Sequence, residues 1–249
     1  MHRPIIPLLI GISIALGVFF LLNLLLGSVP IPLRAICEML LGSEEQPVVW
    51  QNILWKSRVP QALTALVAGA ALSVSGLQMQ TVFRNPLADP SVLGVSAGAS
   101  LGVAFVVLLS GALGGVALSR LGYLGEIALS VAAILGSLSV LALIVFISTK
   151  VKGNVTLLII GVMIGYVANA IIGVLKFFSV EEDIRAYVIW GLGSFARVSG
   201  DQMLLFVTLM TLLIPLSFLL IKTMNLLLLG SNYARNLGLN IHRARLLVI

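Results

Sequence analysis

Charge is what this sequence lacks. Asp, Glu, Lys and Arg make up 10% of its 249 residues, and hydrophobic residues make up 59%. Soluble domains carry about 25% charged residues. The mean hydropathy is +1.14. Such a chain has too little polar surface to cover a globule in water. Disorder is excluded as well, because disordered chains are poor in apolar residues. Cysteine is down to one residue, Cys37, so no internal disulfide framework exists. Nine prolines against 24 glycines, with no Gly-X-Y period, exclude collagen. The two histidines, His2 and His242, cannot pair with a cysteine to build a metal site, and there is no HExxH. A GxxxxGK[ST] phosphate loop is also missing, so this chain does not bind ATP by that route. No cofactor is expected.

What remains is long apolar runs. A membrane-spanning helix takes about 20 mostly apolar residues. Six stretches qualify: 5–27, 60–80, 92–110, 127–147, 154–175 and 202–221, and a seventh begins at Leu246. Four of them, from 60–80 to 154–175, hold no Asp, Glu, Lys or Arg. A soluble helix of that length needs one wet face. The runs do not alternate as β-barrel strands do. The fold class is therefore an all-α polytopic membrane protein, with residues 1–249 as a single transmembrane domain. The first apolar run is longer than a signal-peptide core, so an uncleaved first span is expected.

With the N-terminus cytoplasmic, eight Lys/Arg fall inside and seven outside, so the basic residues barely decide orientation. The acids are lopsided, with Asp89 alone inside. The net +6 charge suits anionic lipid headgroups and calls for no nucleic acid.

Three rows of small residues recur at four-residue spacing: Gly94/Gly98/Gly102, Gly161/Gly165/Asn169/Gly173 and Ala65/Gly69/Ser73. Such rows predict close helix packing and no chemistry. In the outer segment 28–59, Leu33 to Leu41 reads as an amphipathic patch. Trp50 and Trp55 sit where an interfacial belt would lie. The stretch Arg84-Asn85-Pro86-Leu87-Ala88-Asp89-Pro90 has two prolines four apart, which break helicity. It is either a tight turn or a turn shaped for an interface or a pathway.

No carboxylate or lysine lies deep in a span, where proton- or sodium-coupled carriers need one. The polar residues there are amides and hydroxyls, among them Asn23, Gln78, Gln80, Thr156 and Asn169. A pathway lined this way passes a bulky solute but relays protons poorly. Uphill transport would need energy from another subunit. The same absences argue against an intramembrane enzyme or an ion channel. After the sixth span, Met224 to Asn240 reads as a short helix ending near Gly230, Ser231 as an N-cap, and a second short helix closed by Gly238. Spacing alone allows two readings: a cytoplasmic docking surface, or an amphipathic helix lying on lipid.

These motifs resemble the FecCD-type permease subunits of ATP-driven (ABC) importers for iron-siderophores, haem and cobalamin. The likeness rests on four ordered stretches: Arg58-Val59-Pro60 with Gly76-Leu77-Gln78-Met79-Gln80; Arg84 to Pro90 with Leu93-Gly94-Val95-Ser96-Ala97-Gly98; Trp190-Gly191-Leu192-Gly193-Ser194-Phe195; and Leu229 to Asn240. It implies a permease that is not itself an enzyme and works by alternating access in a bacterial inner membrane. Two partner ATPase subunits would hydrolyse the ATP, a second permease copy would complete a homodimer, and an extracytoplasmic solute-binding protein would deliver the cargo.

Ser231-Asn232-Tyr233-Ala234-Arg235-Asn236-Leu237-Gly238-Leu239-Asn240-Ile241 would couple to the ATPases. Arg58 would meet acids of the binding protein. A second arginine is expected three positions later, but Gln61 stands there, which leaves Lys56 as a substitute. The gate would lie near Asn154 and Val155, with Gln78, Gln80, Asn85, Pro86 and Asn169 along the pathway. The family has about ten spans, so the resemblance also implies either a truncated, transport-inactive product or a second polypeptide that supplies the rest.

Overall fold

The computed structural model describes residues 5–42, 45–112, 123–151, 154–198 and 200–248. All regular structure among them is helical. In chain order the α-helices are α1 (Ile5–Leu25), α2 (Leu33–Leu40), α3 (Val48–Ile53), α4 (Val59–Phe83), α5 (Val95–Ala112), α6 (Tyr123–Ser148), α7 (Asn154–Phe177), α8 (Glu181–Gly191), α9 (Gly200–Ser217), α10 (Ile221–Leu229), α11 (Ser231–Asn236) and α12 (Ile241–Val248). Five runs among the described residues are long and apolar enough to cross a membrane: Ile5–Leu25, Val48–Phe83, Gly125–Ser148, Val155–Phe177 and Gly200–Leu229. The sixth expected span is α5, whose 18 residues reach about 27 Å at 1.5 Å per residue.

Two runs are longer than the sequence suggested. One turn of π-helix, Leu54–Arg58, joins α3 to α4, so the second span extends back over Trp50 and Trp55. A 3-10 turn, Phe218–Leu220, joins α9 to α10. The helix expected to be a separate cytoplasmic piece ending at Gly230 is therefore the end of the sixth run. Apolar Leu226 to Leu229 continue it, and Gly230 alone breaks it. Arg3, Glu44, Arg120 and Lys152, used in the charge count, lie outside the described residues.

The described chain falls into two compact units. The first comprises Met1–Ala71 and Ser194–Pro215. Its core packs Ala35, Ile36 and Met39 of amphipathic α2 with Leu24 of α1, Leu54 and Ala62. Glu38 of α2 accepts from Arg34 Nε at 2.8 Å and from Gln46 Nε2 at 2.6 Å, which ties the segment before α3 back to α2.

The second unit comprises Leu72–Gly193 and Leu216–Ile249. It is seamed by glycine. A Cβ at Gly102 would lie 2.2 Å from the Ala132 carbonyl oxygen, and one at Gly136 would lie 2.2 Å from that of Gly98. Only hydrogen fits there, so α5 and α6 pack backbone to backbone. Gly161 of α7 meets Leu93 less tightly but still too closely for a side chain: a Cβ there would be 2.8 Å from the Leu93 Cα. Two of the three expected rows thus make close contacts. A Cβ at Gly69, in the third, would meet nothing within 4 Å. Helix α8 covers the other end of α5, with Tyr187 packed among Val103, Val107 and Ile172. The Lys176 ammonium lies 4.8 Å over the Tyr187 ring centre.

Candidate functional site

The proposed coupling segment opens with a short helix that is closed at its C-terminal end. Gly230, at φ +121°, is the residue before α11 and gives it no side-chain cap. Ser231, expected as the N-cap, is instead the first residue of the helix. At the far end the Leu239 amide donates to the Ala234 carbonyl at 2.9 Å, and the Gly238 amide donates to the Arg235 carbonyl at 3.0 Å. With Gly238 at φ +84° these two bonds make a Schellman closure. The Asn240 side chain then accepts from the Arg243 amide at 3.1 Å and caps α12. Ala234 is fully buried, whereas Tyr233 is 70% and Leu237 61% exposed. Arg235 and Asn236 are exposed beside them. The outer face of α11 thus offers two large apolar side chains and one cation, the composition of a docking patch. The side chains of Ser231 and Asn232 lie outside the described part.

The Arg84–Pro90 stretch bonds mostly to itself. The Asn85 side chain accepts from the Leu87 amide at 3.0 Å. Asp89 accepts from the Ser91 amide at 2.7 Å and from the Ser91 hydroxyl, and caps the 3-10 turn Pro90–Leu93. Those two bonds, the hydroxyl's first, hold the Asp89 carboxyl below the usual carboxylate range. Helix α4 itself ends in a second Schellman pattern, Asn85 amide to Gln80 carbonyl and Arg84 amide to Thr81 carbonyl. Its left-handed residue is Arg84, at φ +48°. The other left-handed residues described are all glycine, and a side chain there costs about 1–2 kcal/mol.

Arg84 Nε donates to the Leu227 carbonyl at 3.0 Å, across 143 residues of chain. That carbonyl is one of the last of α10, where a cation also meets the negative end of the helix dipole. The site reading based on sequence left Arg84 out. The available signal was a charged residue placed where a helix needs a left-handed closing residue.

The residues expected at a gate or along a pathway converge in part. Asn85 and Val155 line one cavity of about 520 Å³ with Phe83, Ile159, Val162 and Tyr166. Asn169 lines a second, of about 440 Å³, with Ser91, Ser96, Ser100 and again Val162 and Tyr166. One face of α7, from Val155 to Asn169, therefore fronts both. Pro86, Gln78 and Gln80 line neither; Gln78 is half-buried and Gln80 exposed. The Asn154 side chain lies outside the described part. The letters G-x-S-x-G also occur, from Gly94 to Gly98. Ser96 sits in the first turn of α5 after a 3-10 turn, not on the strand-to-helix elbow that hydrolases use.

The two residues expected to meet a binding protein behave differently. Lys56 is exposed. Arg58 is 5% exposed and points inward. It donates to the carbonyls of Leu24, Leu25 (3.0 Å) and Val29, closing the C-terminal end of α1. Gly27 makes room for it: a Cβ there would be 2.7 Å from Arg58 Nη2. This geometry gives Arg58 a capping task and leaves Lys56 as the accessible cation.

Comparison with known proteins agrees with the all-helical fold. The chain is 35% identical over 199 residues to the hemin transport system permease protein HmuU of Yersinia pestis, covering 80% of this chain and 56% of that one. It is 38% identical over 191 residues to a probable iron chelatin transport system permease protein of Helicobacter pylori, covering 76% and 53%. It is 32% identical over 242 residues to the vitamin B12 import system permease protein BtuC of Klebsiella pneumoniae, covering 97% and 67%. The chain thus spans little more than half the length of the first two relatives. Among solved structures, a metal-chelate-type ABC transporter in an inward-facing conformation superposes with a TM-score of 0.78 at 28% identity, covering 97% of this chain and 71% of that one. Residues 15–249 match the FecCD transport family, and the chain belongs to that family.

Proposed function

We propose that this chain is a permease subunit of an ABC importer for haem, cobalamin or an iron chelate. In this reading it sits in a bacterial cytoplasmic membrane with its N-terminus inside. Two ATPase subunits grip α11, a second permease copy completes the pathway, and an extracytoplasmic binding protein docks near Lys56. Transport proceeds by alternating access: nucleotide-driven movement of α11 tilts the spans that carry Asn85 and Val155. The chain hydrolyses nothing itself.

The observation that carries this reading is α11. It is a six-residue helix with a Schellman end and an exposed face of Tyr233, Arg235 and Leu237. A helix too short to be stable alone is held in shape by that closure and its buried Ala234, as a docking element must be. Similarity to permease proteins named for hemin, iron chelatin and vitamin B12 transport supports this cargo class.

The test is co-purification. Expressed with an ATPase subunit of a FecCD-type importer, the chain retains that ATPase through detergent washing. Tyr233→Asp with Leu237→Asp abolishes retention without lowering the amount of chain in the membrane. Retention equal to wild type in the double variant would remove α11 from the mechanism.

A further inference from the structure

Arg84 occupies a position where glycine would relieve the backbone. It ends α4 at φ +48°, and the other left-handed positions described are Gly42, Gly94, Gly193, Gly230 and Gly238. A side chain kept in that conformation calls for a task done by the side chain itself. Among the described residues, the side chain's hydrogen bond leaves the turn altogether, from Nε to the Leu227 carbonyl. The guanidinium also lies beside Gly230, whose added Cβ would be 3.6 Å from Nη2. Arg84 therefore bonds the last turn of α10 and lies beside Gly230, the residue between α10 and α11. Its sequence neighbour Asn85 lines the cavity shared with Val155.

Beneath this contact runs one apolar cluster, with Phe83, Ala88 and Leu93 from one side, Met224 and Leu227 from α10, and Ala244 from α12. Apolar contacts hold surfaces together but let them slide. A directed bond from a fixed fork to one carbonyl sets their register.

We infer that Arg84 is a positioning residue, one that ties the end of α10 to the turn after α4 so that the docking helix α11 and the gate-lining Asn85 move as one piece. This rests on the proposed permease function for its consequence, but the tie itself belongs to the chain alone. Without it the ATPases still bind α11, and their motion reaches the gate poorly.

Arg84→Gly separates this from a purely structural role, because glycine suits the left-handed position and spares the fold. Two measurements are needed. In the purified chain, hydrogen exchange of the Gly230 and Ala234 amides rises at least threefold in Arg84→Gly, with the α5–α6 amides unchanged. In proteoliposomes holding the assembled transporter, Arg84→Gly keeps its ATPase and its ATP turnover while cargo imported per ATP falls about tenfold. Arg84→Lys restores part of that ratio. Unchanged exchange at 230–234 overturns the tie, and a wild-type import ratio in Arg84→Gly overturns its role in coupling. If the unaltered chain imports nothing with its partners, the permease reading fails instead.

Discussion

The long helical run Val48–Phe83 carries an arginine near each end of its apolar stretch, and the two are used in opposite ways. Arg58 is buried and donates to three carbonyls, two at the end of α1 and one, Val29, just beyond it. Arg84 is exposed and donates to one carbonyl at the end of α10. Both complement the negative pole of another helix. Burial and bond number separate them. A guanidinium with three partners and no water cannot let go without leaving carbonyls unpaired in an apolar site. An exposed one with one described partner stakes less stability on its bond, yet that bond still sets the register of the two segments it joins. The first is a lock, and the second is a joint.

The largest effect belongs to the lock. Arg58→Ala lowers stability by about 3 kcal/mol, since charged hydrogen bonds are lost and buried carbonyls are stranded. Thermal unfolding of the detergent-purified chain reads this as a lower Tm. Gly27→Ala acts on the same contact more gently. Its methyl displaces the guanidinium and costs about 1–2 kcal/mol, on the scale of a crowded core site. At the joint, Arg84→Gln costs no more than about 1 kcal/mol, as one exposed charged bond should. A destabilisation equal to that of Arg58→Ala would erase the distinction.

The smallest effect concerns acid. Asp89 has a lowered pKa in the folded chain because Ser91 bonds to its charged form. Its contribution to the turn is complete above the unfolded value of about 3.9 and is lost as pH falls through the lower folded value. Asp89→Asn removes that acid-dependent loss, and unfolding measured from about pH 6 down to about pH 3 shows the flatter profile.

Much of this architecture was written in local pattern. Uncharged runs marked the spans, the Gly94/Gly98/Gly102 row marked α5 as a closely packed helix without naming its partner, and Gly238 marked the end of α11. Each depends on residues within a few turns of one another. The turn at Arg84–Pro90 was legible as a break, and its Asn85 and Asp89 bonds are equally local. What escaped was non-local. Nothing near Arg58 announces that it reaches 34 residues back to Leu24, and nothing near Arg84 names Leu227. The π turn that aims Arg58 inward also leaves no compositional mark. Gly230 was read as closing an independent helix. Yet the residues before it are as apolar as a span, and the helix simply continued through them.

Sidedness is where the account is most exposed. Cys37 on α2 is exposed and follows the first candidate span; Leu237 is exposed and follows the last one described. In sealed vesicles a membrane-impermeant maleimide should reach Cys37 only from the extracytoplasmic side. Leu237→Cys, in a Cys37→Ser background, should be reached only in inverted vesicles, and bound ATPase should protect it. Labelling of Leu237→Cys from the extracytoplasmic side would contradict the account, because no motor could then grip α11.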